Sequence, residues 1–168
     1  RSSDLEWADL VFVGGMIAQR ESAKSVIERC RAAGKTVIAG GPLFGGEPGE
    51  FPGVDHFVLG EAEETLPVFL RDLEAGTVRR VYEASAFPGL GETPVPMWEL
   101  ARMGRYGSMS LQYSRGCPFH CEFCSITELF GRRPRTKTPE QICRELEALY
   151  ALGYRGWVDF VDDNFIGN

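Results

Sequence analysis

No apolar stretch in the 168 residues approaches the roughly 18 that a helix needs to cross a bilayer, and no basic-then-greasy leader opens the chain. A membrane span is therefore not expected. Positive charge is short as well. Eighteen Lys and Arg stand against 24 Asp and Glu, for a net charge of −6, so the basic face of a dedicated nucleic-acid binder is not expected either. Internal repeats and low-complexity tracts are missing. Cysteine is sparse and odd in number, five in all, which argues against a disulfide scaffold and for a reducing, cytoplasmic setting. The chain opens on Arg1 rather than Met and stops at Asn168, soon after an apolar run. It reads as part of a longer protein, so a site shared with other segments would be incomplete here. What is present is an ordinary globular balance of 43% apolar and 25% charged residues, enough for one domain or pieces of two.

Two patterned halves flank a Pro/Gly-rich middle. In the first, Leu10, Val11, Phe12 and Val13 form an apolar run that ends at Gly14-Gly15, the pattern of a buried parallel strand. A helix is expected over 21–33, with Val26, Ile27, Cys30 and Ala33 on its apolar face and Gly34 closing it. Strands follow at 36–39, running into Gly40-Gly41-Pro42, and at 57–59, before Gly60. The next helix carries Leu66, Phe69, Leu70 and Leu73 and ends at Gly76; Pro67 fits only in its first turn. An edge strand is expected over 78–82. This rhythm is that of an open, doubly wound α/β sheet. Residues 1–85 form this first domain and 86–107 a linker, with a short helix after Met97.

The second half, from 108 onward, restarts the pattern. A strand over 109–113 runs into a cysteine loop. Thr138, Pro139 and Gln141 supply a capped helix start, and Ile142, Leu146 and Leu149 its apolar stripe, before a strand over 157–161 that ends at Asp162-Asp163-Asn164. Ligands of parallel α/β folds gather at such carboxyl ends of strands. Either Asp could instead cap a following helix. Arg132, Arg133, Arg135 and Lys137 read as a solvated loop. Cys30 and Cys143 are expected to pack on helix apolar faces, and His56 to lie at the surface where its strand begins.

The cysteine loop reads Ser-Arg-Gly-Cys-Pro-Phe-His-Cys-Glu-Phe-Cys from Ser114, which spaces Cys117, Cys121 and Cys124 as C-x3-C-x2-C. A loop this tight can aim three thiolates at one centre. A structural zinc ion, about 2.3 Å from each sulfur, would need a fourth ligand, and His120 is awkwardly placed to supply it. An all-cysteine ferredoxin cluster needs four thiolates. A [4Fe-4S] cluster on three cysteines leaves one iron open to a cofactor, which accounts for the missing ligand.

C-x3-C-x2-C after a strand, with Phe123 before the last cysteine, resembles the radical S-adenosylmethionine (SAM) enzymes. Strand-Gly-Gly-Pro, then strand-Gly-Glu-x-Glu-x-x-Leu-Pro, then a Pro-rich linker into the cysteines is similar to the branch with a cobalamin-binding domain. The stretches 15–24, 40–44 and 158–168 look closest to the group that includes the hopanoid C-2 methylases. The resemblance spans nearly the whole chain. It implies the C-terminal half of a cobalamin-type α/β domain followed by the first strands of a radical SAM (β/α) barrel.

For the residues, the resemblance implies that Cys117, Cys121 and Cys124 hold the cluster and that Phe123 lies beside the adenine of SAM, though packing in a core is the plain alternative. Asp162, Asp163 and Asn164 would meet the methionine end or ribose of SAM. The turns at Gly15-Met16, Gly40-Gly41-Pro42 and Gly60-Glu61 would edge the corrin, unless they serve the sheet alone. The Asp-x-His-x-x-Gly loop of some cobalamin domains is not seen. The implied reaction is reductive cleavage of SAM to a 5′-deoxyadenosyl radical, used to methylate an unactivated carbon of a small-molecule substrate. It draws on a reducing electron donor and calls for no catalytic acid or base. A radical SAM enzyme without cobalamin and a non-catalytic zinc or iron–sulfur module stand as alternatives. The 168 residues alone are expected to be inactive.

Overall fold

The computed structural model describes residues 5–46 and 48–165. The chain divides into two compact parts, Arg1–Pro88 and Gly89–Asn168.

The first part is a four-stranded, all-parallel sheet of β1 (Leu10–Gly14), β2 (Thr36–Gly40), β3 (His56–Leu59) and β4 (Val81–Glu83), in that spatial order. Helix α1 (Arg20–Ala32) follows β1, and α2 (Ala62–Glu74) joins β3 to β4. Side chains alternate between the two faces of a strand, and both faces are covered. Val37, Ala39, Phe57 and Leu59 pack against Ala23, Ile27 and Cys30 of α1, while Ile38, Val58 and Tyr82 pack with Phe69 of α2. That double cover is why the strands read as continuous apolar runs. Burying a side chain such as Phe69 contributes about 1.5–3 kcal/mol. The β2–β3 connection adds Phe44 and Phe51 to the core, with ring centroids 4.6 Å apart. The doubly wound α/β class expected from the sequence is the one observed.

Three local expectations change. Helix α2 begins at Ala62, which puts Pro67 in the second turn rather than the first. There its missing N–H removes one helical hydrogen bond. The edge strand is shifted to Val81–Glu83, and Val78 packs ahead of it against the Phe69 cluster. Val26 and Leu70, expected on apolar faces, are exposed.

In the second part, β5 (Ser108–Leu111) pairs in parallel with β8 (Trp157–Phe160), and β6 (Ser114–Arg115) pairs antiparallel with β7 (Arg135–Thr136). Helices α3 (Ile126–Phe130) and α4 (Pro139–Ala151) lie between. Thr138 caps α4 as its sequence announces, accepting from the Gln141 amide while Gln141 Oε1 accepts from the Thr138 amide at 2.9 Å. The core holds Met109, Leu111, Ile142 and Leu149. Residues 89–107 are not an extended tether. Leu90 is buried, its carbonyl accepts from Gln141 Nε2 at 2.9 Å, and Trp98, Ala101 and Met103 pack on the Met109 cluster. The helix expected after Met97 is a single 3-10 turn, Trp98–Leu100.

Two further expectations are corrected in and just before α4. Its buried positions are Gln141, Ile142, Glu145 and Leu149, and at 100° per residue Cys143 falls on the other face. It is exposed, not packed. Lys137 is not in a solvated loop either: it is buried, and its ammonium pairs with the buried Glu145 carboxylate at 2.6 Å.

Candidate metal centre

The three cysteines of the spaced motif lie between β6 and α3, on the loop that leaves the carboxyl end of β5. All are free thiols, Cys117 and Cys124 half-buried and Cys121 exposed. The loop is shaped by its own backbone. Gly116 has φ +91°, and a Cβ there would come within 2.9 Å of the Arg133 carbonyl oxygen, so only glycine fits. The Cys117 amide donates to the Gly131 carbonyl at 3.2 Å and the Cys124 amide to the Cys121 carbonyl at 3.0 Å. Among the described residues, no three Cys, His, Asp or Glu side chains gather tightly enough for one metal ion. As chemistry, three free thiols on one loop suit an iron–sulfur cluster, where each sulfur meets its own iron.

The loop leaving β8 grips this one. Asp162 Oδ1 accepts from the Tyr113 amide at 2.8 Å and from the Ser114 amide. Asp163 Oδ2 accepts from the Gly116 amide at 2.9 Å. Asn164 Nδ2 donates to Cys117 Sγ at 3.5 Å. The sequence places these three residues toward SAM; in the structure their described contacts run to the cysteine loop. Asp162 Oδ2 is buried and has no hydrogen-bond partner among the described residues. The motif spacing gave no sign of this grip, since it depends on the register that sets Leu111 beside Phe160.

Phe123 is 93% exposed and packs in no core cluster of the described residues. His120 is exposed too.

In the first part, the glycine turns all follow carboxyl ends of parallel strands. They are not equivalent. A Cβ on Gly40 would lie 2.4 Å from the Val58 carbonyl oxygen, and one on Gly60 2.6 Å from Ala84 Cβ, so sheet packing by itself demands both glycines. Gly41, at φ +84°, would have no described atom within 4 Å of a Cβ, so its positive φ and not crowding favours glycine there. The Leu43 amide donates to the Gly15 carbonyl at 3.0 Å, tying the first turn to the second. Met16 is exposed, Pro42 half-buried and Glu61 buried. His56 opens β3 half-buried, its Nδ1 2.7 Å from the Arg79 carbonyl oxygen.

No family model matches the chain. Over 168 residues it is 46% identical to an uncharacterized methyltransferase of Synechocystis sp., covering 99% of this chain and 31% of that protein. Over 171 residues it is 40% identical to the hopanoid C-2 methylase of Rhodopseudomonas palustris, covering 99% and 32%. The chain belongs to the cobalamin-binding-domain radical SAM family. It spans about a third of the length of these curated relatives of the family. The family fold is matched by the radical SAM methyltransferase TsrM from Kitasatospora setae, solved with cobalamin and a [4Fe-4S] cluster bound. That likeness has a TM-score of 0.74 at 17% identity and covers 98% of this chain and 40% of TsrM. No helix among the described residues is long and apolar enough to cross a membrane.

Proposed function

We propose that this chain is part of a cobalamin-dependent radical SAM methyltransferase that methylates an unactivated carbon of a small-molecule substrate in a reducing, cytoplasmic setting. The observation that carries the reading is the free Cys117, Cys121 and Cys124 loop at the carboxyl end of β5, in a chain 40% identical to a hopanoid C-2 methylase. When bound, a [4Fe-4S] cluster would deliver one electron to SAM, breaking its S–C5′ bond to give a 5′-deoxyadenosyl radical, and cobalamin would carry the methyl group.

This chain's own part is placement. The three thiolates are the cluster ligands. Asp162 and Asp163 fix the backbone from Tyr113 to Gly116, the stretch that leads into Cys117, and so anchor the base of the cysteine loop. Asp162 and Asp163 would lie toward the methionine end or ribose of SAM, as the family resemblance implies, and the exposed Phe123 ring suits a stacked adenine. In the first part, the turns at Gly15-Met16, Gly40-Gly41-Pro42 and Gly60-Glu61 would edge the corrin. An aliphatic methylation by radicals asks for no acid–base pair from these residues.

The test is anaerobic reconstitution of the full-length protein. Four irons and four sulfides per chain, cobalt retained after cobalamin loading, and 5′-deoxyadenosine formed from SAM under a strong reductant are expected. Zinc in place of iron, or a reduced cluster that leaves SAM intact, would overturn the radical reading. A cluster without cobalt would overturn only the cobalamin part.

A further inference from the structure

Asn164 is held on both sides. Asp162 and Asp163, just before it, are fixed by the amides of Tyr113, Ser114 and Gly116. Phe165, just after it, packs its ring 5.8 Å from that of Tyr113 and 5.4 Å from that of Phe160. The backbone between them is thereby anchored beside the cysteine loop, and the Asn164 amide nitrogen lies 3.5 Å from Cys117 Sγ. That separation is normal for an N–H···S bond, because sulfur is larger than oxygen.

We propose that Asn164, through this hydrogen bond to the Cys117 sulfur, sets the reduction potential of the cluster that the cysteine loop holds. The inference rests on the cluster reading above. One electron from a low-potential donor converts the oxidised cluster to the reduced one, with no bond made or broken at the protein. Part of the added negative charge falls on the thiolate sulfurs. An N–H dipole aimed at one of them stabilises the reduced state more than the oxidised state, and so raises the potential. Asn164 is thus a positioning residue that acts through Cys117, distinct from a group that touches SAM.

The test is a potentiometric titration, followed by the electron paramagnetic resonance of the reduced cluster, on the full-length reconstituted protein. Asn164→Leu removes the donor at nearly constant volume, and Asn164→Asp places a carboxylate at the same spot. Wild type should have the highest potential and Asn164→Asp the lowest. The leucine variant should show about a tenfold larger oxidised-to-reduced ratio at a fixed poise, equal to ~59 mV for one electron. Iron content should be unchanged. Equal potentials, or any other order, overturn the proposal while leaving the cluster reading intact. Loss of iron from both variants makes Asn164 merely structural and overturns it too. A wild-type protein that takes up no cluster overturns the proposed function and this inference together.

Discussion

At the scale of single residues, Gly40 shows what a strand-end glycine is for. A methyl group there would meet the Val58 carbonyl oxygen at 2.4 Å, a backbone atom of the neighbouring strand that cannot swing aside. Gly40→Ala is therefore expected to cost about 1–3 kcal/mol, the range for overpacking. Gly45→Ala, with nothing near its Cβ, should stay within about 0.5 kcal/mol of wild type. Urea unfolding of the two variants checks both. Asp162 is the corresponding residue at the cysteine loop. Asp162→Ala strips an acceptor from the Tyr113 and Ser114 amides, and each lost bond to a part-buried donor costs about 1–3 kcal/mol. Hydrogen exchange should then accelerate at those two amides, whereas Asp163→Ala should loosen Gly116 alone. Unchanged protection at Tyr113 and Ser114 would show that the carboxylate does not hold the loop.

Elements are tied together by a few polar side chains whose effect depends on their charge state. Glu64 of α2 accepts from the Ser85 hydroxyl at 2.8 Å and from the Ser85 and Ala86 amides, fastening the chain beyond β4 to the helix. The Ser85 hydroxyl, then the Ser85 amide, hold its carboxyl below the usual glutamate range. A lowered folded-state value means that this attachment is fully present above the unfolded-state value and is lost as the pH falls through the folded one. In an NMR titration, the Glu64 carboxyl should protonate at lower pH than a free glutamate, and the Ser85 amide shift should follow the same curve. Glu64→Gln should abolish that step. The Lys137–Glu145 pair fastens α4 to the end of β7. Lys137→Met leaves a carboxylate buried without its cation and should cost about 3–5 kcal/mol, while adding Glu145→Leu should recover most of it. Thermal unfolding of the single and double variants measures the difference. This pair also marks where the sequence stops being legible. β1, β2 and β3 are readable because cover on both faces makes each a short continuous apolar run ended by glycine, and the start of α4 because Thr138 names its own cap. Glu145 and Gln141 are polar residues at buried positions, so a count of apolar residues turns α4 the wrong way and buries Cys143 on paper. β6 and β7, two residues each, are too short to carry any period.

Across the whole molecule, the cysteine spacing is legible because three thiols must share one loop, whereas the Asp162–Asn164 grip arises only once β5 and β8 pair 49 residues apart, as Tyr113 and Asp162 are. Those same two strands bear on what the 168 residues can do. β5 and β8 form a two-stranded parallel sheet, and β8 leaves Trp157 81% and Phe160 44% exposed. A pair of strands makes one side of a site and cannot enclose it. Exclusion of water from a reactive radical needs a wall on every side. The chain covers only 31–32% of the hopanoid methylase and the Synechocystis relative. The 168 residues, reconstituted with iron and sulfide, are therefore expected to give no 5′-deoxyadenosine from SAM, while the full-length protein does. Chromatographic assay of deoxyadenosine under one reductant for both samples decides the matter. Deoxyadenosine formed by the short chain at a comparable rate would mean that the cysteine loop, its grip from β8 and the exposed Phe123 ring suffice for SAM cleavage without further walls.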